Sequence, residues 1–289
     1  MTRKRRALAL ARVALPTSAA LALVGVVVGV SGYAAQAVAA LSASFLAGLV
    51  WLAVYLWTVR TGVALTLAAT QRTPSATVEL GRTYDRLAPD GATLPELGGW
   101  AVNPWAMIVM LDLVRSGQVS TILECGSGSS TVWFATALAD RGGEGRVIAL
   151  ESSPEFAAAT REELRRRGLD GRAEVVDAPL VPTRGETRRS QPWFDLAALP
   201  DVAEVDLLFV DGPPGNTSAD ARYPAFPALA DRLRDGAVVV LDDTDRVDEA
   251  YVVERWSRET HHGRGLRVSR RLYDATVFEA RSLEEGAGS

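Results

Sequence analysis

Lysine is almost missing from this chain: Lys4 stands alone among 31 lysines and arginines in 289 residues. So strong an arginine bias reads as the mark of a GC-rich genome rather than a functional choice. Cysteine is nearly absent too. With Cys125 as the only one, no intrachain disulfide can form, which fits a reducing compartment. No partner base for that thiol is recognisable, so Cys125 reads as a small spacer and not a nucleophile. Histidine is limited to His261 and His262, beside Gly263-Arg264-Gly265, and both read as surface residues. The net charge is −4 and the soluble part has no strongly basic block, so nucleic acid is not an expected partner.

One long stretch has no charge at all, from Val13 to Val59. A bilayer core takes roughly 20 apolar residues per helix, so two spans are expected, Val13–Ser31 and Ala37–Val59, turning at Ser31-Gly32-Tyr33. Trp51, Tyr55 and Trp57 suit an interfacial aromatic belt. The small residues Gly25, Gly29, Ala40, Ser44 and Gly48 permit close packing of a hairpin. Arg3, Lys4, Arg5, Arg6 and Arg12 precede the spans and Arg60 and Arg72 follow them, which places both ends on the cytoplasmic side of an inner or plasma membrane. The rival reading is a secretory signal cleaved near Ala35-Gln36-Ala37.

The expected organisation is therefore a basic segment with two transmembrane helices (1–60), a linker (61–97), a soluble domain (98–281) and a tail (282–289). Pro74, Gly81, Pro89, Gly91 and Pro95 punctuate the linker and predict an irregular approach.

In the soluble domain the run Ile122-Leu123-Glu124-Cys125-Gly126-Ser127-Gly128-Ser129-Ser130-Thr131 is the most informative. A short apolar strand ends in an acid, two glycines make a tight turn, and Ser130 and Thr131 are placed to cap the helix Val132–Asp140. Glycine lacks the Cβ that would keep a ligand off the backbone. The acid disfavours a pyrophosphate and suits hydroxyls or a cationic group, so the loop points to a nucleoside ligand without phosphates.

Around it, strand and helix alternate. Asn103-Pro104 opens a helix with apolar positions Met107, Ile108, Met110, Leu111 and Val114. Strands are predicted at Ser120–Cys125, Arg146–Leu150, Ala173–Val176, Val205–Val210 and Ala237–Leu241. Helices are predicted at Pro154–Gly168 (capping box Ser152 with Glu155), Ala225–Arg234 and Val247–Arg258. The arm Pro179–Pro200 reads as loop. Continuous apolar strands mark a parallel sheet covered on both faces. The last two, Leu266–Tyr273 and Ala275–Ala280, are too close for a crossover and must pair antiparallel. The predicted fold is a Rossmann-like, doubly wound α/β sheet ending in an antiparallel β-hairpin, preceded by the two-helix transmembrane hairpin.

Glu124, Glu151, Asp177, Asp211 and Asp242-Asp243 all fall at strand ends, the edge at which open α/β sheets bind ligands. Taken with the runs Leu123–Thr131, Val176-Asp177-Ala178, Leu207–Gly212 and Gly236–Asp243, they make the chain resemble class I S-adenosylmethionine-dependent methyltransferases over roughly 98–280. The resemblance implies that Glu124, Gly126, Ser127 and Gly128 hold the methionine part and backbone side of S-adenosylmethionine. Glu151 with Ser152 would bind the ribose, Asp177 and Ala178 would flank the adenine, and Asp211 would border the cofactor. Ser130 stands where many members have a third glycine.

Within that family the chain is similar to bacterial small-molecule O-methyltransferases, some of which hold a divalent metal. The resemblance puts Asp211, Asp242 and Asp243 at the metal-ligand positions, with Mg²⁺ or Ca²⁺ suited to hard oxygen donors. That subgroup often carries a lysine soon after the first acid, where this chain has Gly212-Pro213-Pro214-Gly215. Asp211 or Asp242 is the expected catalytic base. Trp193, Phe194, Arg222 and Tyr223 are candidates for lining the acceptor pocket, and Trp100 and Trp105, hinged at Gly98-Gly99, for closing over the cofactor.

The expected activity is a membrane-anchored O-methyltransferase acting on a small-molecule, glycan or lipid-linked acceptor. The alternatives are another Rossmann-like enzyme, an aminopropyl transferase or nicotinamide oxidoreductase, and a non-catalytic membrane interaction protein.

Overall fold

The computed structural model describes residues 34–87 (side chains of 34, 35, 37 and 58–74 excepted), 102–183, 192–272 and 274–283, together with Leu23 and Pro95. Two compact units divide the chain, Met1–Arg72 and Thr73–Ser289.

The first helix, α1 (Ala34–Leu87), contains a 20-residue apolar stretch, Val38–Trp57, long enough to cross a bilayer. It coincides with the second of the two expected spans. Phe45, Leu46, Val50 and Trp57 on it are exposed, and Trp51 stacks on Tyr55 with ring centroids 5.5 Å apart. The first expected span, Val13–Ser31, lies outside the described residues save Leu23, so one apolar helix and no hairpin is seen among them.

The expected irregular linker differs more. Residues 61–87 are helical, Pro74 and Gly81 included. The last turns are fixed by burial: Ala76, Leu80, Tyr84 and Leu87 recur at helical spacing and pack into the core of the second unit. Tyr84 meets Trp133 edge-on at 4.9 Å, and its hydroxyl accepts from Arg167 Nη1. Proline and glycine signals were outweighed by an apolar stripe with a surface to cover.

The second unit alternates as the sequence predicts. After α1 come α2 (Pro104–Arg115), β1 (Thr121–Cys125), α3 (Ser129–Arg141), β2 (Arg146–Glu151), α4 (Pro154–Arg166) and β3 (Ala173–Asp177). Then follow β4 (Leu180–Pro182), β5 (Pro192–Phe194), β6 (Val205–Val210), α5 (Ala225–Leu229), β7 (Leu233–Leu241), α6 (Val247–Trp256), β8 (Thr260–His261), β9 (Arg264–Arg271) and β10 (Thr276–Ser282). The main sheet runs β3-β2-β1-β6-β7-β10-β9-β8. Pairing is parallel from β3 through β7 and antiparallel from β7 through β8. This is a Rossmann-like fold closed by the expected antiparallel hairpin.

Local departures have local causes. Part of the arm expected as loop forms a small antiparallel pair, β4 with β5, through Val181 opposite Trp193. The helix expected at Ala225–Arg234 is one short α-helix and a 3₁₀ turn, because β7 already begins at Leu233. Ser153, one residue later than expected, caps α4 by accepting from Phe156 N at 3.4 Å. Asn103 caps α2 as predicted, accepting from Trp105 N at 2.8 Å.

Strands β1 and β6 are apolar on both faces. Leu123, Leu208 and Val210 join one core layer with Phe226 and Trp256, while Ile122, Leu207 and Phe209 join the other with Trp133, Phe134 and Tyr84. Truncating Tyr84 opens a cavity in the second layer. We expect Tyr84→Ala in the full-length protein to lose about 3 kcal/mol of stability, the usual range for a buried aromatic. Urea denaturation followed by tryptophan fluorescence measures it, and an unchanged midpoint would show that the end of α1 does not hold the core.

Candidate functional site

The chain runs outward from β1 to β2 and β3, then returns to β6 on the other side of β1. The turns after β1 and β6 therefore face each other at the switch point of the sheet. They meet closely. The Cys125 carbonyl accepts from Gly212 N at 2.6 Å and from Asp211 N at 3.1 Å. Gly126 has φ +104°, a conformation L side chains rarely adopt, and a Cβ on Gly212 would sit 3.1 Å from the Cys125 oxygen. The glycines are thus required by the approach of two backbones.

Helix α3 starts at Ser129 with Gly128 as its N-cap, so of the two expected caps Ser130 lies within the first turn and Thr131 completes the cap from inside it. Both are buried. Thr131 Oγ1 accepts from Gly128 N at 3.1 Å, which closes the turn from within. Beside them Glu124 is fully buried, with the Ser130 and Thr131 hydroxyls near it but no hydrogen bond of ordinary length to either carboxylate oxygen among the described residues. Burial pushes its carboxyl up from 4.5 to about 8, although the hydroxyls of Ser130 and Thr131 pull the other way. Cys125 is equally buried, and burial raises its thiol far above the ordinary range.

Glu151, at the end of β2, ties this loop to the next one. Its Oε2 accepts from Ser127 N and Ser127 Oγ, both at 3.0 Å, and its Oε1 accepts from Ser153 N at 2.8 Å. Ser127 Oγ also lies 3.2 Å from Thr160 Oγ1. Ser152 is half-buried next to it. Ala178 is buried, with its N–H given to the Glu151 carbonyl at 2.8 Å. Asp177 stands apart: its side chain is 64% exposed and pairs with Arg161 Nη2 at 2.9 Å.

Asp211, Asp242 and Asp243 come together, each offering an oxygen within 4.8 Å of the others. The centre of this cluster holds an arginine. Arg222, with a side chain only 3% exposed, reaches Asp211 Oδ1 at 3.0 Å and Asp243 Oδ2 at 2.8 Å through Nη2, and donates from Nη1 to the Asp242 carbonyl at 3.0 Å. Arg246 adds a second cation, 2.7 Å from Asp243 Oδ2. Burial raises the Asp211 and Asp242 carboxyls, Asp242 well above its ordinary value, against the pull of Arg222.

The aromatic candidates for an acceptor pocket are elsewhere. Trp193 and Phe194 are core residues, edge-on to each other at 5.0 Å. Tyr223 is buried, donates to Glu259 Oε2 at 2.7 Å and lies under the Arg255 guanidinium. His261 packs against Phe226 and sits 3.2 Å from Glu259. Trp105 is exposed at the start of α2, where Asn103 Nδ2 donates to Asp274 Oδ2 at 2.8 Å. Trp100 and Gly98-Gly99 lie outside the described residues. The sequence offered Arg222 as a pocket-lining candidate, but not its tie to the aspartates. Its partners come from two strand ends, so no spacing could announce them.

The residues fit a nucleoside carrying a cationic amino acid: a buried carboxyl at Glu124, a backbone cradle kept open by glycine, and a second carboxylate, Glu151, at the end of the next strand. They fit a divalent metal less well. The three aspartates are suitable hard donors, but Arg222 already occupies one oxygen each of Asp211 and Asp243.

Residues 123–244 match the family described as a methyltransferase domain. The chain is 33% identical over 163 residues to the catechol O-methyltransferase of Mycobacterium tuberculosis, an alignment covering 55% of this chain and 62% of that protein. It is 27% identical over 226 residues to the catechol O-methyltransferase of Niastella koreensis, covering 72% and 90%. The crystal structure of an O-methyltransferase from Bacillus cereus in complex with SAH superposes with a TM-score of 0.47, at 21% identity, over 72% of this chain and 90% of that one. The chain is thus similar to methyltransferases over this region. It spans less than two thirds of the length of its mycobacterial relative.

The buried Glu124 makes a pH signature. The folded chain keeps this proton over a range where the unfolded chain has released it, so the favourable contribution is full below about 4.5 and is lost as pH rises to about 8. Urea unfolding across that range should show the wild type losing stability relative to Glu124→Gln. Parallel pH curves for the two proteins would exclude a buried, protonated Glu124.

Proposed function

We propose that the protein is an S-adenosylmethionine-dependent O-methyltransferase with a hydroxyl-bearing small-molecule acceptor. The observation that carries it is the pair Glu124 and Glu151 at the switch point, one carboxyl fully buried and the other gripping the loop beside it. The relatives named as catechol O-methyltransferases support the choice of oxygen.

S-adenosylmethionine, when bound, supplies an electrophilic methyl group, which passes to the acceptor oxygen by in-line displacement. Glu124 would hold the cationic amino group, and an adjacent positive charge there would offset the cost of its burial and favour its ionised form. Glu151 accepts from the ribose hydroxyls while keeping Ser127 and Ser153 in place. Asp177 and Ala178 border the adenine. Asp242, its carboxyl raised by burial beside Asp211 and Asp243, accepts the acceptor's proton, and Asp211 holds Arg222 in line. No step in this reading passes through a divalent ion.

The apolar stretch Val38–Trp57 supports a further proposal, that the enzyme is anchored in a cell membrane with its catalytic domain on the cytoplasmic side. An anchored enzyme suits an acceptor that is itself lipid-linked or a glycan handled at the membrane. Alkaline carbonate extraction should leave the full-length protein in the membrane pellet, and recovery in the supernatant would end the anchor proposal.

Calorimetry with S-adenosylhomocysteine on the full-length protein tests the cofactor. Micromolar binding is expected, and Glu151→Ala should weaken it at least about tenfold, near 1.4 kcal/mol. Absence of binding at millimolar ligand would overturn the methyltransferase proposal. Wild-type affinity in Glu151→Ala would remove the ribose assignment alone.

A further inference from the structure

We infer that Arg222 is a built-in cation standing in the position that a divalent metal would need, so that the Asp211–Asp242–Asp243 centre works without a metal ion. The inference rests on the proposed methyltransferase reading of the site and goes beyond it by assigning the centre its charge.

The geometry is direct. One guanidinium nitrogen, Nη2, bridges Asp211 Oδ1 and Asp243 Oδ2 at 3.0 and 2.8 Å. An ion bound to the same two oxygens at about 2.0–2.6 Å would lie against that nitrogen, and arginine cannot shed its proton to make room. At such a separation, out of water, the guanidinium's charge opposes that of the ion and weakens what the two shared carboxylates offer it.

Arg222 is also anchored on its other side. Its other nitrogen, Nη1, donates to the Asp242 carbonyl at 3.0 Å, and it is flanked by buried Ala221 and Tyr223. Tyr223 is pinned in turn: its N–H reaches the Asp220 carbonyl at 2.9 Å, and its own carbonyl accepts from Trp256 Nε1 at 3.0 Å. Its hydroxyl is fixed by Glu259 and Arg255, both at 2.7 Å. The arginine therefore belongs to a rigid corner. Arg246, 2.7 Å from Asp243, adds positive charge on the same carboxylate.

A fixed guanidinium here does part of what a metal would. It sets a positive charge against the Asp211 and Asp243 carboxylates beside Asp242 and where an acceptor oxygen would develop negative charge.

The test reads ion binding and needs no turnover. Mn²⁺ is titrated into the full-length protein and the free ion is followed by electron paramagnetic resonance. Wild type should leave the free-ion signal unchanged into the millimolar range, and S-adenosylhomocysteine affinity should be equal in EDTA and in excess Mg²⁺. Arg222→Met uncovers the three carboxylates and should lower the Mn²⁺ dissociation constant about tenfold or more, as charge count sets cation affinity. Adding Asp243→Asn should reverse that gain. Wild-type Mn²⁺ binding that Asp243→Asn abolishes would overturn the inference. So would a folded Arg222→Met that still binds no Mn²⁺. Should that variant fail to fold, the wild-type and Asp243→Asn pair decides alone. A failure of the methyltransferase reading shows separately, as absent S-adenosylhomocysteine binding in the wild type.

Discussion

The site depends on how closely two turns can approach across the carbonyl of Cys125. That oxygen accepts from both Asp211 and Gly212, so the ends of β1 and β6 are fastened at one atom. From this contact follow the open backbone at Gly126, the depth at which Glu124 is buried, and the position of Asp211 beside the end of β7. A side chain on Gly212 would push the two turns apart and disturb all of these at once.

Charge is the second constraint. Parallel strands bring their carboxyl ends to one edge, and this chain puts an acid at nearly every one. Uncompensated, such crowding would raise each carboxyl and strain the fold. The protein deals with each differently. Glu151 accepts from backbone and serine donors, Asp177 remains in solvent against Arg161, and Glu124 holds its proton. The aspartates after β6 and β7 share Arg222 and Arg246.

Most of the fold was legible because it is written in short-range signals. Apolar runs such as Leu207–Val210 can only be strands buried on two sides, and the short gap at Asp274 forces a hairpin. The gathering of acids on one edge was legible for the same reason, since strand ends mark an edge. The rest depended on contacts distant in sequence. Tyr84 continues a helix past Pro74 and Gly81 because Trp133 offers it a surface, and no local rule records that. Arg222 joins aspartates from two different strands. Trp193 and Phe194 lie in a segment of loop-like composition, yet β4 and β5 pair and turn both rings inward.

Cys125 is the chain's single thiol, sealed in the middle of the sheet between β2 and β6. It cannot meet a reagent while those strands stay paired. The protein therefore carries a native clock for the parting of its central strands. The rate at which Cys125 becomes labelled counts the moments when the heart of the sheet comes apart, and anything that holds the β1 turn shut will slow that count.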